Sequence, residues 1–231
     1  QEEHAAQGKG QTGSPQETQI MHPDPAFRWP KSANDHQDAD ERAALEAMIV
    51  DIGFGMVFAE TPDGPRVAHV PVFSTGDGAL QFHLSRGNAL ANHIANGKAL
   101  CVINGPDAYI SPDWYGIEDQ VPTWNYLALE LEAPVRKMER EGLISLLDDL
   151  SAQNEAKLAP KKPWHRDRMD AEKFDKMVNA IVGFEMEILA WRPTAKLGQN
   201  KPDAVREKAA AALDATGRRA MAHLMKEFGT R

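Results

Sequence analysis

Three short β-type runs, joined by turns rich in glycine and aspartate, constrain the fold of this chain more than any other feature. The runs FGMVFAE, RVAHVPVFS and ALQFHL lie between residues 54 and 84, and the turns TPDGP and TGDG separate them. Glycine and aspartate adopt the backbone conformations that tight turns require, so successive runs fold back on one another. The segment therefore predicts an antiparallel meander of three strands.

Further runs downstream have the pattern of strands. In YLALELEAPV, residues 126–135, three leucines share one face, and alanine and glutamate share the other, which is the period of a half-buried strand. The run GFEMEILAW, residues 183–191, alternates in the same way, and we expect it to form one last long strand. The apolar run KALCVING, residues 98–105, is typical of a buried strand.

Helical patterns occupy much of the remaining chain. Leucines at helical spacing and capping residues predict helices over residues 38–51, 88–97, 139–158, 170–181 and 202–228. We expect Gly53 to end the first helix and Gly217 to divide the last one. Five or six antiparallel strands with peripheral helices predict a mainly β fold of the α+β class, an antiparallel β-barrel.

The first twenty residues contain almost nothing to bury. They are rich in Gln, Gly, Ser and Thr, so we expect a disordered leader over residues 1–20 and a single domain over residues 21–231. No apolar run approaches the roughly 18 residues that cross a bilayer, so we expect no membrane contact. The single cysteine, Cys101, lies in an apolar run, and we expect a buried small hydrophobe in a cytoplasmic protein.

The formal net charge of −8 is distributed unevenly. Residues 192–231 contain nine Lys or Arg against four Asp or Glu, a net charge of +5, so the preceding residues sum to −13. An acidic chain argues against a dedicated nucleic-acid binder, because phosphate contacts need clustered cations. Three interpretations of the basic segment stay open: it contacts DNA, a phosphate-bearing cofactor, or the acidic body of its own fold.

Common catalytic and nucleotide-binding motifs are absent from the sequence. It contains no GxxxxGK[ST], no strand-linked GxGxxG, no HExxH, no paired CxxC and no GxSxG. The eight histidines do not fall at metal-ligand spacing, and His69, His83 and His93 lie in separate elements. We therefore predict no metal site, and the sequence singles out no catalytic residue.

The segment HLSRGN, residues 83–88, ends a predicted strand and begins a predicted helix. Ser85, Arg86 and Asn88 offer a hydroxyl, a forked cation and an amide beside the unpaired N–H groups of a first helical turn. This combination predicts a phosphate site. The alternative is a helix N-cap beside a solvated arginine.

A second polar turn, KLGQNKP, follows the last predicted strand. Lys196, Gln199, Asn200 and Lys201 place amide and ammonium donors together before Pro202, where a helix should begin. These donors suit an anionic ligand. The alternative is again a helix cap with solubilising lysines.

Large rings are concentrated between residues 105 and 126, a segment that we call the aromatic corner. Its parts GPDAYISPDWYG and VPTWNY hold two of the five tryptophans and all three tyrosines. Contact with a planar ligand is one explanation and a subunit contact is the other, because both concentrate Trp and Tyr. The candidate ligand contacts are Tyr109, Ser111, Trp114, Tyr115, Trp124 and Asn125.

Five segments together resemble the PaiB-type family of FMN-binding negative transcriptional regulators. They are RVAHVPV, HLSRGNALANHI, GPDAYISPDWYG, VPTWNY and KLGQNKP, and the resemblance extends from Met21 to the last predicted helix. It implies the FMN-binding split barrel, an antiparallel β-barrel that usually forms a homodimer with flavin in clefts between subunits.

The same resemblance implies roles for individual residues. The segment HLSRGN, including His83, would hold the flavin phosphate, and His69 and Val70 would lie along the isoalloxazine ring. The aromatic corner and the turn KLGQNK would complete the cleft. The resemblance leaves open whether the partner subunit supplies these last two parts.

Three functions from different classes follow. The first, which the resemblance favours, is an FMN-binding negative regulator of transcription that contacts DNA through its basic C-terminal segment. The second is an FMN-dependent oxidoreductase whose substrate the sequence does not identify. The third is a cofactor-free dimeric binding module in which the aromatic rings make only subunit contacts.

Overall fold

The computed structural model describes residues 37–95 and 97–228. The predicted leader and the predicted start at residue 21 lie outside these ranges. Within them are seven strands: β1 (Phe54–Thr61), β2 (Gly64–Ser74), β3 (Ala79–Ser85), β4 (Lys98–Ile110), β5 (Thr123–Lys137), β6 (Ile181–Glu187) and β7 (Ala190–Lys196). They also contain five α-helices: α1 (Gln37–Ile52), α2 (Arg140–Ala156), α3 (Ala171–Asn179), α4 (Asp203–Ala215) and α5 (Arg219–Glu227). None of these helices has both the length and the apolar character that a membrane span requires.

The strands form an antiparallel sheet that closes on itself. Neighbouring strands follow the order β4-β1-β2-β3-β6-β5-β7, and β4 also pairs with β5. The predicted meander is confirmed, because β1 pairs with β2 and β2 pairs with β3 in antiparallel register. The β4–β5 ladder joins the two sides of the sheet, so β1 to β6 form a barrel and β7 is added beside β5.

The prediction of one last strand over residues 183–191 is wrong, because the structure has two strands here. β6 and β7 both lie along the same edge of β5, but Ile188 and Leu189 separate them. The N–H of Ile188 donates to the carbonyl of Gly78 at 3.0 Å, and the N–H of Leu189 donates to that of Glu132 at 3.0 Å. The chain leaves β3 at this break and continues beside β5, so the strands number seven instead of five or six.

The prediction of a helix over residues 88–97 is also wrong. The chain makes a series of tight turns, in which N–H groups such as that of Asn88 donate to the carbonyl three residues earlier, here Ser85 at 2.9 Å. A run this short between two glycines is marginal as a helix. Burial of Leu90 and Ile94 holds the turns against the barrel instead. The first helical turn expected beside Asn88 is therefore replaced by turns.

The remaining element predictions are confirmed. α1, α2 and α3 occupy predicted helices, β4 and β5 contain predicted strands, and α4 and α5 flank Gly217, whose φ is +84°. Leu129 and Leu131 of β5 are fully buried, as the alternation predicts. The rings of Phe82 and Phe184 stack with centroids 5.6 Å apart and belong to the same core.

Cys101 is the buried small hydrophobe that the sequence predicts. Its side chain in β4 is fully buried. Burial raises the pKa of the Cys101 thiol to about 12. The thiol is therefore protonated at physiological pH and lacks the thiolate that a nucleophile needs.

A buried arginine ties the two C-terminal helices together. Arg206 of α4 is 2% exposed, and its Nε donates to the carbonyl of Met225 in α5 at 2.7 Å. Its Nη1 lies 2.8 Å from Asp203 Oδ1, an ion pair whose angles are not those of a hydrogen bond. Arg206 is not among the predicted functional residues, although it shares a helical stripe with the apolar Ala209 and Leu213. A charge on such a stripe indicates a buried contact.

Replacing Arg206 tests this tie. Arg206→Ala leaves the Met225 carbonyl without its charged donor, so we expect the free energy of unfolding to fall by about 2–3 kcal/mol. Urea denaturation followed by circular dichroism measures the change. Lys208→Ala, at an exposed position of the same helix, is the control and should cost less than about 0.5 kcal/mol. Equal unfolding midpoints for the two variants would contradict the role assigned to Arg206.

Candidate functional site

A polar cluster lies where β3 ends. Ser85 is the last residue of β3 and pairs with Ile181 of β6, and Arg86 and Asn88 lie in the turns that follow. Ser85 and Arg86 are exposed, and Asn88 is half-buried. We call Ser85, Arg86 and Asn88 the β3 corner. The structure thus keeps these three predicted residues together at the surface.

The end of α3 holds Arg86 in place. Arg86 Nε donates to the carbonyl of Asn179 at 2.5 Å, and its backbone N–H donates to the carbonyl of Ala180 at 2.9 Å. These carbonyls lie at a helix C-terminus, where backbone acceptors are unpaired and cations are favourable. Within residues 37–95 and 97–228, the Nη1 and Nη2 atoms of Arg86 bond to no acceptor. A fixed guanidinium therefore keeps its forked end for a ligand.

The other groups of the β3 corner also keep donors. Ser85 Oγ accepts the N–H of Gly87 at 3.3 Å, which leaves its own hydroxyl hydrogen. Asn88 Oδ1 accepts the N–H of Leu90 at 2.9 Å, which leaves the hydrogens of its amide nitrogen. Because the expected helix is replaced by turns, the donors that the β3 corner offers are side chains and not the N-terminus of a helix.

The three candidates on β2 and β3 differ in accessibility. His69 is exposed, whereas Val70 is 2% exposed and faces the core, so only the Val70 backbone is available to a ligand. His83 is half-buried, and its Nδ1 has no hydrogen-bond partner in the described chain. Desolvation lowers the pKa of His83, which favours the neutral ring. Across residues 37–95 and 97–228, no three His, Cys, Asp or Glu side chains are grouped to hold a metal ion.

Four of the five rings of the aromatic corner form an exposed pair and a packed pair. Tyr109 and Trp124 pair across β4 and β5 in an edge-to-face contact with centroids 6.3 Å apart. They are 45% and 54% exposed, respectively. Trp114 packs against the core, and Tyr115 is 2% exposed. Two large rings therefore stay at the surface of the protein.

Five predicted residues line one pocket of about 230 Å³, which we call the lysine pocket. They are Tyr115, Asn125, Lys196, Asn200 and Lys201. Lys196 Nζ donates to Thr123 Oγ1 at 2.7 Å. Lys201 Nζ donates to Gln120 Oε1 and lies 5.4 Å from the centroid of the Tyr115 ring. The structure thus joins part of the aromatic corner to the turn KLGQNK.

Asn125 is the most deeply buried polar side chain of the lysine pocket. It is 1% exposed, and its Nδ2 has no acceptor among the residues that the structure describes. Tyr115, on the same pocket wall, has a phenol whose pKa is raised by desolvation, so the hydroxyl keeps its proton. Both groups are therefore neutral donors.

Two predicted contacts do not face the pocket as ligand donors. Gln199 Oε1 accepts the N–H of Leu197 at 2.8 Å, and its Nε2 donates to the carbonyl of Ala195, so this side chain shapes the turn before α4. Ser111 precedes the short 3-10 turn Pro112–Tyr115 and is not part of the pocket lining.

The β3 corner and the lysine pocket lie toward opposite ends of β5. β6 meets β5 at Lys137 and pairs with Ser85 through Ile181. The pocket instead includes Thr123 and Asn125, at the start of β5. At 3.3 Å per residue, the stretch from Asn125 to Lys137 measures about 40 Å along the strand. The two groups of predicted residues therefore form separate sites within one chain.

Comparisons with known proteins agree with this architecture. Residues 33–190, more than half of the chain, match the family described as "Putative FMN-binding domain". The chain is 28% identical over 152 residues to protease synthase and sporulation protein PAI 2 of Bacillus subtilis, which covers 64% of this chain and 72% of that protein. It is 31% identical over 110 residues to an uncharacterised protein of Saccharomyces cerevisiae, which covers 42% of this chain and 65% of that protein.

Solved structures share the fold at low sequence identity. The FAD and heme binding protein from Mycobacterium smegmatis has a TM-score of 0.51 at 16% identity, over 71% of this chain and 76% of that one. A conserved hypothetical protein from Mycobacterium tuberculosis has a TM-score of 0.50 at 13% identity, over 76% of this chain and 93% of that one. The predicted fold, a mainly β antiparallel split barrel with peripheral helices, is confirmed.

The family match reaches from before α1 to the first residue of β7 and so contains the whole closed barrel. FMN is the ligand by which this family is described. The resemblance drawn from five sequence segments and the prediction of FMN as the cofactor are both confirmed at this level. This chain belongs to the family of FMN-binding domains.

Proposed function

We propose that this protein binds FMN in a cleft built by two copies of the chain and acts as an FMN-dependent negative regulator of transcription. The observation that carries the flavin site is the β3 corner, where α3 fixes Arg86 and leaves its forked end exposed. Forked hydrogen bonds from a guanidinium to phosphate are strong and directional. The single cysteine, Cys101, makes no disulfide within the chain, which supports a cytoplasmic location.

The flavin ring would lie along the outer face of β1 and β2. In this ladder Met56 pairs with His69 and Phe58 pairs with Val67. All four are at least partly exposed, whereas their neighbours along each strand, such as Val70, face the core. A mostly apolar surface with one imidazole suits a planar ring that has apolar faces and polar edges.

A second copy of the chain is the proposed cover for this outer face. Phe54 of β1 is 52% exposed on the same side, which is unfavourable for a side chain of this size in water. Subunit interfaces concentrate such apolar and aromatic side chains. Tyr109 and Trp124 adjoin the lysine pocket, away from the β3 corner, so the partner subunit would bring its own copies of these rings to the flavin.

Removing the guanidinium tests the phosphate site. Arg86→Ala should weaken FMN binding by about 1.5–3 kcal/mol, the scale of a lost charged hydrogen bond, which is about a tenfold to hundredfold rise in Kd. Quenching of flavin fluorescence on titration of the protein measures it. Arg140→Ala is the matched control, because Arg140 Nη1 also contacts α3, at Asn179 Oδ1 2.8 Å away, and should keep the original Kd. An unchanged Kd for Arg86→Ala would remove Arg86 from the site.

A charge on the outer face tests the dimer. Phe54→Glu would place an unpaired carboxylate in an apolar interface, which is costly, so we expect the variant to sediment as a monomer. The original protein should sediment as a dimer. Leu158→Glu, at a position that is also 52% exposed but follows α2, should remain dimeric. A monomeric original protein that still binds FMN would contradict the shared cleft.

Exposed cations on the last helices support the regulatory part of the proposal, together with the resemblance to PaiB-type regulators. Arg218 and Arg219 lie side by side at the start of α5, and both are exposed. Lys208 and Lys226 are exposed on α4 and α5. Deleting these helices would not be a clean test, because they contribute buried side chains such as Leu213 to the core. Charge reversal avoids that problem.

The double variant Arg218→Glu and Arg219→Glu should weaken DNA binding and reduce its dependence on salt. Each lost phosphate contact lowers the slope of log K against log salt by about one, so we expect a reduction of about two. Gel shifts with sheared chromosomal DNA at several salt concentrations measure it. Lys162→Glu and Lys173→Glu, exposed positions outside the basic segment, change the net charge equally and should have little effect. The same slope in both double variants would place DNA contact elsewhere.

A further inference from the structure

The lysine pocket presents one buried hydrogen-bond donor that the described chain does not use. Asn125 is 1% exposed, yet its Nδ2 bonds to no acceptor in the described ranges. A buried amide left without a partner is costly, and most buried polar atoms in proteins are paired. Since Asn125 lines the pocket, an acceptor placed inside it would satisfy this donor. The pocket therefore contains a buried donor that a bound ligand could satisfy, which an ordinary surface depression lacks.

The charged groups of the pocket have fixed positions. Thr123 Oγ1 accepts from Lys196 Nζ at 2.7 Å, and Gln120 Oε1 accepts from Lys201 Nζ. Gln120 is neutral, so it orients the Lys201 ammonium without cancelling its charge. The described lining of the pocket contains two lysines and no aspartate or glutamate. A positive pocket with oriented donors favours an anion.

Gly198, which lines the pocket, has no side chain to fill it. Gly198 has a φ of +79°, and a Cβ added there would lie 3.8 Å from Asn125 Nδ2 and 3.8 Å from Arg206 Cγ. Any residue larger than glycine would extend between these two groups in a strained backbone conformation. The absence of a side chain at Gly198 therefore leaves space between Arg206 and the amide of Asn125.

We propose that the lysine pocket binds the carboxylate or phosphate group of a second small molecule, distinct from the flavin. This inference rests on the proposed flavin site, because FMN has one phosphate and the β3 corner is assigned to it. The remaining cationic pocket then takes the anionic group of a different ligand. Lys196, Lys201 and Asn125 bind that group, and Val121, which is 73% exposed at the pocket, contacts the body of the molecule.

The size of the pocket limits the ligand. Its volume of about 230 Å³ is below the range of about 300–1,000 Å³ that is usual for sites enclosing drug-sized ligands. A small organic acid or phosphate ester fits, whereas a whole FMN molecule exceeds the pocket. The ligand is therefore a small monoanionic or dianionic compound, suited to be the effector or the substrate of a flavin protein.

Isothermal titration calorimetry of the full chain, with and without FMN, tests this inference. The probes are benzoate for a carboxylate and inorganic phosphate for a phosphate group, with benzamide as the uncharged control. We expect one of the two anions to bind, and benzamide not to bind. The anion that binds more tightly identifies the class of ligand.

Substitutions locate the binding. Lys196→Met and Lys201→Met should each weaken anion binding at least tenfold, and far more than they weaken FMN binding. Asn125→Leu should act in the same direction, and Lys162→Met, an exposed lysine elsewhere, should leave the affinity unchanged. Circular dichroism of each variant checks that it is folded. Loss of anion binding in the folded lysine variants supports the inference.

Three results separate this inference from the proposed flavin site. If neither anion binds at about 10 mM, the pocket is not an anion site and the inference is wrong. If FMN competes with the anion and both lysine variants lose FMN, the pocket is part of the flavin site. This result overturns the inference, whereas the proposal that the protein binds FMN still stands. If the anion binds but the protein takes up no FMN, the pocket is supported and the proposed flavin site fails.

Discussion

Hydrogen bonding along β5 holds the rest of the structure in place. One edge of β5 pairs with β4, and the other pairs with β7 over its first half and with β6 near its end. No other strand among residues 37–95 and 97–228 joins three neighbours. A ladder also decides which side chains share a face. β5 therefore contributes Leu129 and Leu131 to the core and places Asn125 in the lysine pocket.

The basic end of the chain is partly used inside the fold. Arg192 lies 3.5 Å from Glu130 and 2.9 Å from Glu132, and its hydrogen bond lowers the pKa of Glu132. Arg206 is buried between α4 and α5. For Arg192 the acidic body of the chain is the partner, one of the three interpretations that the sequence left open. Arg206 instead contacts Asp203 and the Met225 carbonyl, which belong to the basic segment itself. Among the described residues of the basic segment, Lys208, Arg218, Arg219 and Lys226 remain exposed.

Local patterns in the sequence predicted most of the fold, because each depends on neighbouring residues. The meander and the alternation of β5 are examples, and both are confirmed. The break at Ile188 and Leu189 depends on hydrogen bonds to Gly78 and Glu132, which are distant in sequence, so no local pattern reports it. The candidate site shows the same contrast between local and distant information. Residue types identified the candidate residues, but only the strand pairings along β5 show that the β3 corner and the lysine pocket lie apart.

The break between β6 and β7 separates two structural roles within one segment of the chain. β6 helps to close the barrel, whereas β7 carries Lys196 to the pocket from outside the ring. Side chains alternate along a strand, so a shift of β7 by one residue along β5 would turn every side chain of β7 to the opposite face, whereas β6 could keep its own pairing. Changes at this break can therefore alter the lining of the lysine pocket while the strands of the closed barrel keep their pairing.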